Sequence, residues 1–210
     1  EKERVAALKY AREQLAFADE MGVPCCVNIA GCRGSRWDGA YPDNYSRDAY
    51  DLIVETVRGI IDAVRPRRAF YTLEPMPWMV PDGPDEYLKL IRDVGREQFG
   101  AHMDFVNMIN SPRRSLLAVP FIDECFGKLA PWIKSTHLKD TVMEAPFTAV
   151  IRETAPGRGT LDYTRVLPVI AAHLPQDAPV LLEHMGSFEE YAAAYDYVAD
   201  AAAQAGIPIR

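Results

Sequence analysis

The sequence has little of what a membrane span, a secreted scaffold or a nucleic-acid surface requires. Only four cysteines occur in 210 residues. Cys25, Cys26, Cys32 and Cys125 form neither a Cys-x-x-Cys pair nor a regular framework. They read as reduced thiols of a cytoplasmic protein, and a sulfur-ligated metal is disfavoured. No apolar run approaches the roughly 20 residues of a membrane-spanning helix, and no signal segment stands ahead of the first helical pattern. A basic excess is also missing: the net charge is -7, whereas a nucleic-acid partner calls for a basic face. What remains is 49% hydrophobic and 25% charged, the composition of a soluble globular protein. We expect residues 1–210 to form a single domain.

Apolar spacing divides the chain into alternating elements. Val5, Leu8, Leu15 and Ala18 recur at helical intervals over 4–21, and Gly22 ends the pattern. A compact apolar run at 23–29 reads as a strand. Helices are predicted at 48–64, 85–94, 122–129 and 163–173, and strands at 68–74, 100–105, 133–139 and 179–183. Ser187-Phe-Glu-Glu190 is a capping box that opens a last helix. Strands separated by single helices imply parallel crossovers, hence a parallel sheet covered by helices.

Four of these five strands end, at their carboxyl side, in a residue able to bind a metal: Glu74, Asp104, His137 and Glu183. Each has an ordinary explanation on its own. Glu74 could be a solvated loop acid, Asp104 a helix cap, His137 a satisfied core histidine and Glu183 a loop acid beside His184. Together they occupy the position where parallel α/β folds place their ligand sites, and a barrel brings several such ends to one point. A strand that is apolar almost to its end can finish on Glu74 if a cation offsets the charge. Three carboxylates and an imidazole are mostly hard donors, which suits one divalent ion: manganese first, with magnesium, cobalt or zinc as alternatives. Strand alternation puts His102 with Asp104 on one face, and Ser135, His137 and Lys139 on one face. Lys139 then either shares the cavity of His137 or pairs with Asp140.

The segments Leu-Glu-Pro around Glu74, His-Met-Asp-Phe-Val-Asn around Asp104, Ser-Thr-His-Leu-Lys-Asp around His137, Pro156-Gly-Arg-Gly159 and Leu-Leu-Glu-His-Met around Glu183 resemble the xylose-isomerase-like TIM-barrel superfamily. That superfamily includes sugar phosphate isomerases and epimerases, and the resemblance runs over essentially the whole chain. It implies a (β/α)8 barrel with Glu74, Asp104, His137 and Glu183 on one divalent metal, and with Glu74 and Glu183 as an acid/base pair on opposite faces of a bound sugar. Ketose epimerases of the superfamily commonly carry a substrate-binding histidine three residues after the metal-binding Asp; here that position is Asn107. Their arginine shortly after the metal-binding His is replaced by Lys139 and Asp140, and Arg158 comes much later. A full barrel takes about 250 residues and eight strands, so five strands point to an N-terminally truncated barrel whose two edge strands carry unpaired backbone groups, with core residues such as Phe70 unusually exposed.

The implied chemistry is isomerisation or epimerisation of a sugar, or of a related polyol or keto-sugar, through an enediolate. A metal polarises adjacent oxygens while a carboxylate removes the neighbouring proton. Lys139 joins the catalytic set. Asn107, His102, Trp37, Trp78 and Arg158 are the candidate substrate contacts, with Arg33 and Arg36 nearby; Trp78 could equally be ordinary loop packing. The Pro156–Gly159 turn is too short to be a phosphate loop by itself. Two other readings stay open. One is a lyase of the same superfamily, a C-glycoside-cleaving subunit or an inosose-type dehydratase. The other is a non-catalytic sugar-binding or scaffold protein with a relic site. The superfamily's multi-metal DNA-repair nucleases fit poorly, since too few ligands are present and the chain is acidic. The expected partner is a small carbohydrate, with no nucleic acid and no membrane, in a homo- or hetero-oligomer.

Overall fold

A computed structural model describes residues 2–144 and 147–209. The chain falls into two compact units, Glu1–Met103 with Pro131–Ser135, and Asp104–Ala130 with Thr136–Arg210.

In the first unit, α1 (Lys2–Met21) precedes β1 (Cys25–Asn28). A 3-10 turn (Pro42–Tyr45), α2 (Arg47–Val64), β2 (Phe70–Leu73), α3 (Pro84–Val94) and β3 (Phe99–Met103) follow. The ends of α2 are set by local chemistry. The Ser46 hydroxyl accepts the Ala49 N–H at its start, and Arg65 stops it in the left-handed conformation at φ 53°. Ile53, Val54, Val57, Ile60 and Ile61 recur at helical spacing and are all buried, so this face is the one that packs. Pro84 opens α3 and Gly95, at φ 57°, closes it. Strands β1, β2 and β3 pair in parallel, with Thr72 opposite Val27 on one side and Gly100 on the other. The buried Tyr87 hydroxyl donates to the Leu73 carbonyl at the end of β2. Asp19 at the end of α1 accepts the N–H groups of Arg67, Arg68 and Ala69, which fixes the entry to β2.

In the second unit, α4 (Phe105–Met108), α5 (Pro112–Leu116) and α6 (Ala118–Leu129) come first. Strand β4 (Ile133–Leu138) begins in the first unit and ends in the second, where His137 pairs in parallel with Leu181 of β7 (Val180–Leu182). The five parallel strands therefore follow the order β1-β2-β3-β4-β7. Helix α7 (Tyr163–His173) lies between β4 and β7 in sequence, and α8 (Phe188–Ala205) comes last, capped by the Ser187 hydroxyl on Glu190 N–H as the capping box predicts. Phe105 and Phe126 pack at 6.2 Å between ring centroids, and Tyr163 meets Tyr197 edge-on at 5.7 Å.

One feature differs from the sequence expectation. Residues 140–154 carry a hairpin of two antiparallel strands, β5 (Asp140–Glu144) and β6 (Val150–Thr154). Its strands are short and largely polar, so neither shows a buried face from which a period could be read. Phe70 is the one residue of β2 that is not fully buried, and the Lys134 ammonium lies 4.0 Å from its ring centroid. Within the five-stranded sheet the exposed large apolar side chains sit on β1 and β7, at the ends of the strand order: Val27 is 41% exposed, Val180 42% and Leu181 46%. Among the described residues, no helix is long and apolar enough to cross a membrane.

The Pro156–Gly159 turn has a structural task. The buried Asp140 carboxylate accepts four backbone N–H groups: Thr141 at 2.7 Å, Leu161 at 2.9 Å, Gly159 at 3.1 Å and Gly157 at 3.2 Å. Burial raises the Asp140 pKa, against the pull of these amides. Gly157 takes a φ of +84°, and a Cβ on Gly159 would lie 2.2 Å from Asp140 Oδ1. Gly159→Ala should therefore break two of these bonds and cost about 2–4 kcal/mol in a urea melt. Unchanged stability would show that the turn does not depend on this close approach.

Candidate metal centre

Each strand of the main sheet stops at or one residue short of a polar group. Glu74 follows β2 and donates its N–H to the Asn28 carbonyl at 2.7 Å, within the first unit. Asp104 follows β3 and caps α4, its Oδ1 accepting the Asn107 N–H at 2.9 Å. His137 is the last residue but one of β4, Lys139 follows that strand, and Glu183 follows β7. The ladder makes each strand end a fixed point, so these side chains start from rigid positions.

Within the second unit Asp104, His137, Lys139 and Glu183 form one cluster. His137 Nδ1 lies 2.9 Å from Glu183 Oε2 and 3.6 Å from Asp104 Oδ2. Lys139 Nζ lies 2.6 Å from the same Glu183 oxygen and 2.7 Å from the same Asp104 oxygen. Asp104 and Lys139 are wholly buried, and Glu183 keeps 24% of its side chain exposed. Asp104, His137 and Glu183 each offer a ligand atom within 4.8 Å of the others. Two donors about 2.1 Å from an octahedral ion and at right angles are about 3 Å apart. The 2.9 Å separation of the His137 and Glu183 donors matches such an edge. The donors thus fit a hard divalent ion, with ring nitrogen and carboxylate oxygens converging from different strands.

The electrostatics agree with that fit. Burial would raise the Asp104 pKa, but His137, Lys139 and the Asn107 amide lower it to about 2. Glu183 is likewise raised by burial and brought down to about 2 by His137 and Lys139. Burial opposes the Lys139 charge, yet Asp104, Glu183 and Glu153 raise its pKa above the ordinary lysine value. The carboxylates therefore stay ionised, as metal ligands must be. Because both acids are depressed in the folded state, they add stability above their ordinary values of 3.8 and 4.5, and this is lost as pH falls through about 2. Metal-free protein is thus expected to melt at progressively lower temperature below pH 4.5. A melting temperature that is flat or rising over that range would contradict the pairing.

Lys139 reaches Asp104 and Glu183, while the Asp140 carboxylate accepts backbone amides. His102 is fully buried in the first unit, with Nδ1 2.6 Å from the Ser135 hydroxyl. Trp37 is 70% exposed on the loop after β1, where it lines a cavity of about 720 Å³ with α1, α2, Arg33 and Arg36. Trp78 is half-buried, and its carbonyl accepts the side-chain amide of the buried Asn44. Arg158 is exposed on the turn that holds Asp140. In the second unit, Asn107 is half-buried one turn beyond Asp104. Two residues of the cluster went unrecognised in the sequence. Glu153 of β6 has Oε2 3.3 Å from Lys139 Nζ, and its Oε1 lies 2.7 Å from His184 Nδ1. Only the hairpin brings Glu153 back to Lys139. His184 takes a positive φ of 63°, which no residue pattern announces.

The xylose isomerase-like TIM barrel family matches residues 1–201. The chain belongs to this family. No curated protein matches it. Solved structures share its fold. A xylose isomerase-like TIM barrel protein from Mycobacterium smegmatis in complex with magnesium is 18% identical, with a TM-score of 0.69 over 94% of this chain and 67% of its own. The probable 3-DHS dehydratase AsbF from Bacillus anthracis is 21% identical, with a TM-score of 0.65 over 89% of this chain and 66% of its own. A D-psicose 3-epimerase from Clostridium cellulolyticum, solved with D-tagatose, is 14% identical, with a TM-score of 0.65 over 94% of this chain and 71% of its own. This chain spans about two thirds of the length of each. Its parallel β/α units are therefore part of a TIM-barrel fold.

Proposed function

We propose that the protein is a divalent-metal-dependent isomerase or epimerase of a sugar or sugar-like polyol or keto-sugar, acting by proton transfer through an enediolate. The observation that carries this reading is the convergence of Asp104 Oδ2, His137 Nδ1 and Glu183 Oε2 at the carboxyl ends of their strands. Glu74, at the end of β2, is proposed as the fourth ligand, and 1–210 as one family domain. Manganese is the preferred ion, with magnesium, cobalt or zinc as alternatives. A bound ion would supply Lewis acidity toward adjacent oxygens of a hydroxy-carbonyl substrate. Glu183, partly open to solvent and aligned by His137 and Lys139, is the proton-transfer group on one face, and Glu74 is its counterpart on the other. Asn107, beside Asp104, is proposed as a substrate contact, and His102, Trp37, Trp78 and Arg158 are proposed as the others. The substrate is a small carbohydrate and the setting cytoplasmic.

A lyase is the second reading, favoured by Lys139. An ammonium touching both Asp104 and Glu183 can protonate a departing hydroxyl, and a probable dehydratase is among the proteins sharing this fold. Ketoses, inososes and C-glycosides incubated with metal-loaded protein in deuterated water separate the two. An isomerase or epimerase incorporates deuterium at constant carbon skeleton and water content, whereas a dehydratase product is lighter by one water. Metal uptake with neither outcome, and with no aglycone released from a C-glycoside, would contradict both and leave a sugar-binding or relic site.

A further inference from the structure

Lys139 brings a full charge into the second unit where solvent cannot reach it. The two oxygens it contacts, Asp104 Oδ2 and Glu183 Oε2, are the two that face His137 Nδ1. One set of lone pairs is thus offered to two cations, the ammonium and a divalent ion. A third carboxylate waits at the side. Glu153 Oε2 is 3.3 Å from Lys139 Nζ, its Oε1 is fixed by His184 Nδ1 at 2.7 Å, and His184 Nε2 lies 3.5 Å from Glu183 Oε1. Lys139, Glu153, His184 and Glu183 close a ring in which Glu153 is the one carboxylate outside the ligand set.

We propose that Lys139 is a resident cation that neutralises Asp104 and Glu183 in the metal-free protein, and that Glu153 is the positioning residue onto which its ammonium is handed when a divalent ion takes those two oxygens. This rests on the metal reading above. The physical need is charge compensation: a buried ammonium beside a dication repels it unless another anion draws it away. The shift required is small, because Nζ already lies near Glu153. No covalent bond forms or breaks, and the hand-over sets metal affinity without touching substrate.

The test is calorimetric titration of Mn²⁺ into chelator-treated wild type, Lys139→Met, Glu153→Gln and the double variant. Lys139→Met should tighten Mn²⁺ binding by about tenfold or more, since the competing cation is gone. Glu153→Gln should weaken it by about three- to tenfold, and that loss should vanish in the Lys139→Met background, because Glu153 acts through Lys139. Unchanged or weaker binding in Lys139→Met would overturn the proposal. So would a Glu153→Gln loss of equal size in both backgrounds, which marks a field effect independent of the lysine. If Lys139→Met does not fold, Glu153→Gln alone decides, and wild-type affinity there refutes the hand-over. A wild type that takes up no Mn²⁺ contradicts the metal centre itself; wild-type uptake with unmoved variants contradicts only this inference.

Discussion

Replacing Glu183 by glutamine is expected to remove turnover by a factor of about 10³ or more while the protein stays folded. The amide keeps the shape of the side chain and one oxygen that can accept from Lys139, so packing around β7 should survive. It cannot accept a proton, and it is a weaker metal donor than a carboxylate. Steady-state kinetics on the substrate found by deuterium exchange, with Mn²⁺ raised to saturate the variant, isolates the chemical step from metal loss. Activity within a few-fold of wild type would show that Glu183 is not a proton-transfer group.

A second large effect is expected on stability. In chelator, Lys139→Met leaves the fully buried Asp104 without the ammonium 2.7 Å away. Removing one partner of a buried pair costs about 3–5 kcal/mol, since the remaining charge is neither hydrated nor paired. Asp104 retains the Asn107 N–H and His137, which places the expected loss toward the lower end of that range. Urea melts of the metal-free variant measure it, and saturating Mn²⁺ should restore much of the stability by mass action. A metal-free melt equal to wild type would mean that Lys139 does not compensate the acid.

What could be read in the sequence follows the length scale of each interaction. The five parallel strands were legible because each is a short apolar run between helical patterns, and their boundaries moved by at most two residues in the structure. Asp104, His137 and Glu183 could be picked out because parallel strands put their ends at one level, so a polar residue closing an apolar run stands out. Lys139 remained ambiguous for a physical reason. It adjoins Asp140 in sequence, but successive strand residues point to opposite faces, and Asp140 is taken by the amides of its own turn. That turn, Pro156–Gly159, is too short to be a phosphate loop by itself, and its Gly157 and Gly159 amides serve the buried Asp140 carboxylate. Glu153 could not be found at all, because its position depends on the register of the hairpin, Asp140 opposite Thr154 and Thr141 opposite Glu153. Register is a pairwise property that no single segment of polar residues displays.

The most direct measurement is the uptake of Mn²⁺ by chelator-treated protein, followed calorimetrically with stoichiometry checked by elemental analysis. The proposed metal centre predicts one ion per chain, with affinity lowered at least about tenfold when Asp104→Asn or His137→Ala removes a donor. No uptake by the wild type, or uptake that both substitutions leave unchanged, would contradict the metal centre and the proton-transfer chemistry built on it.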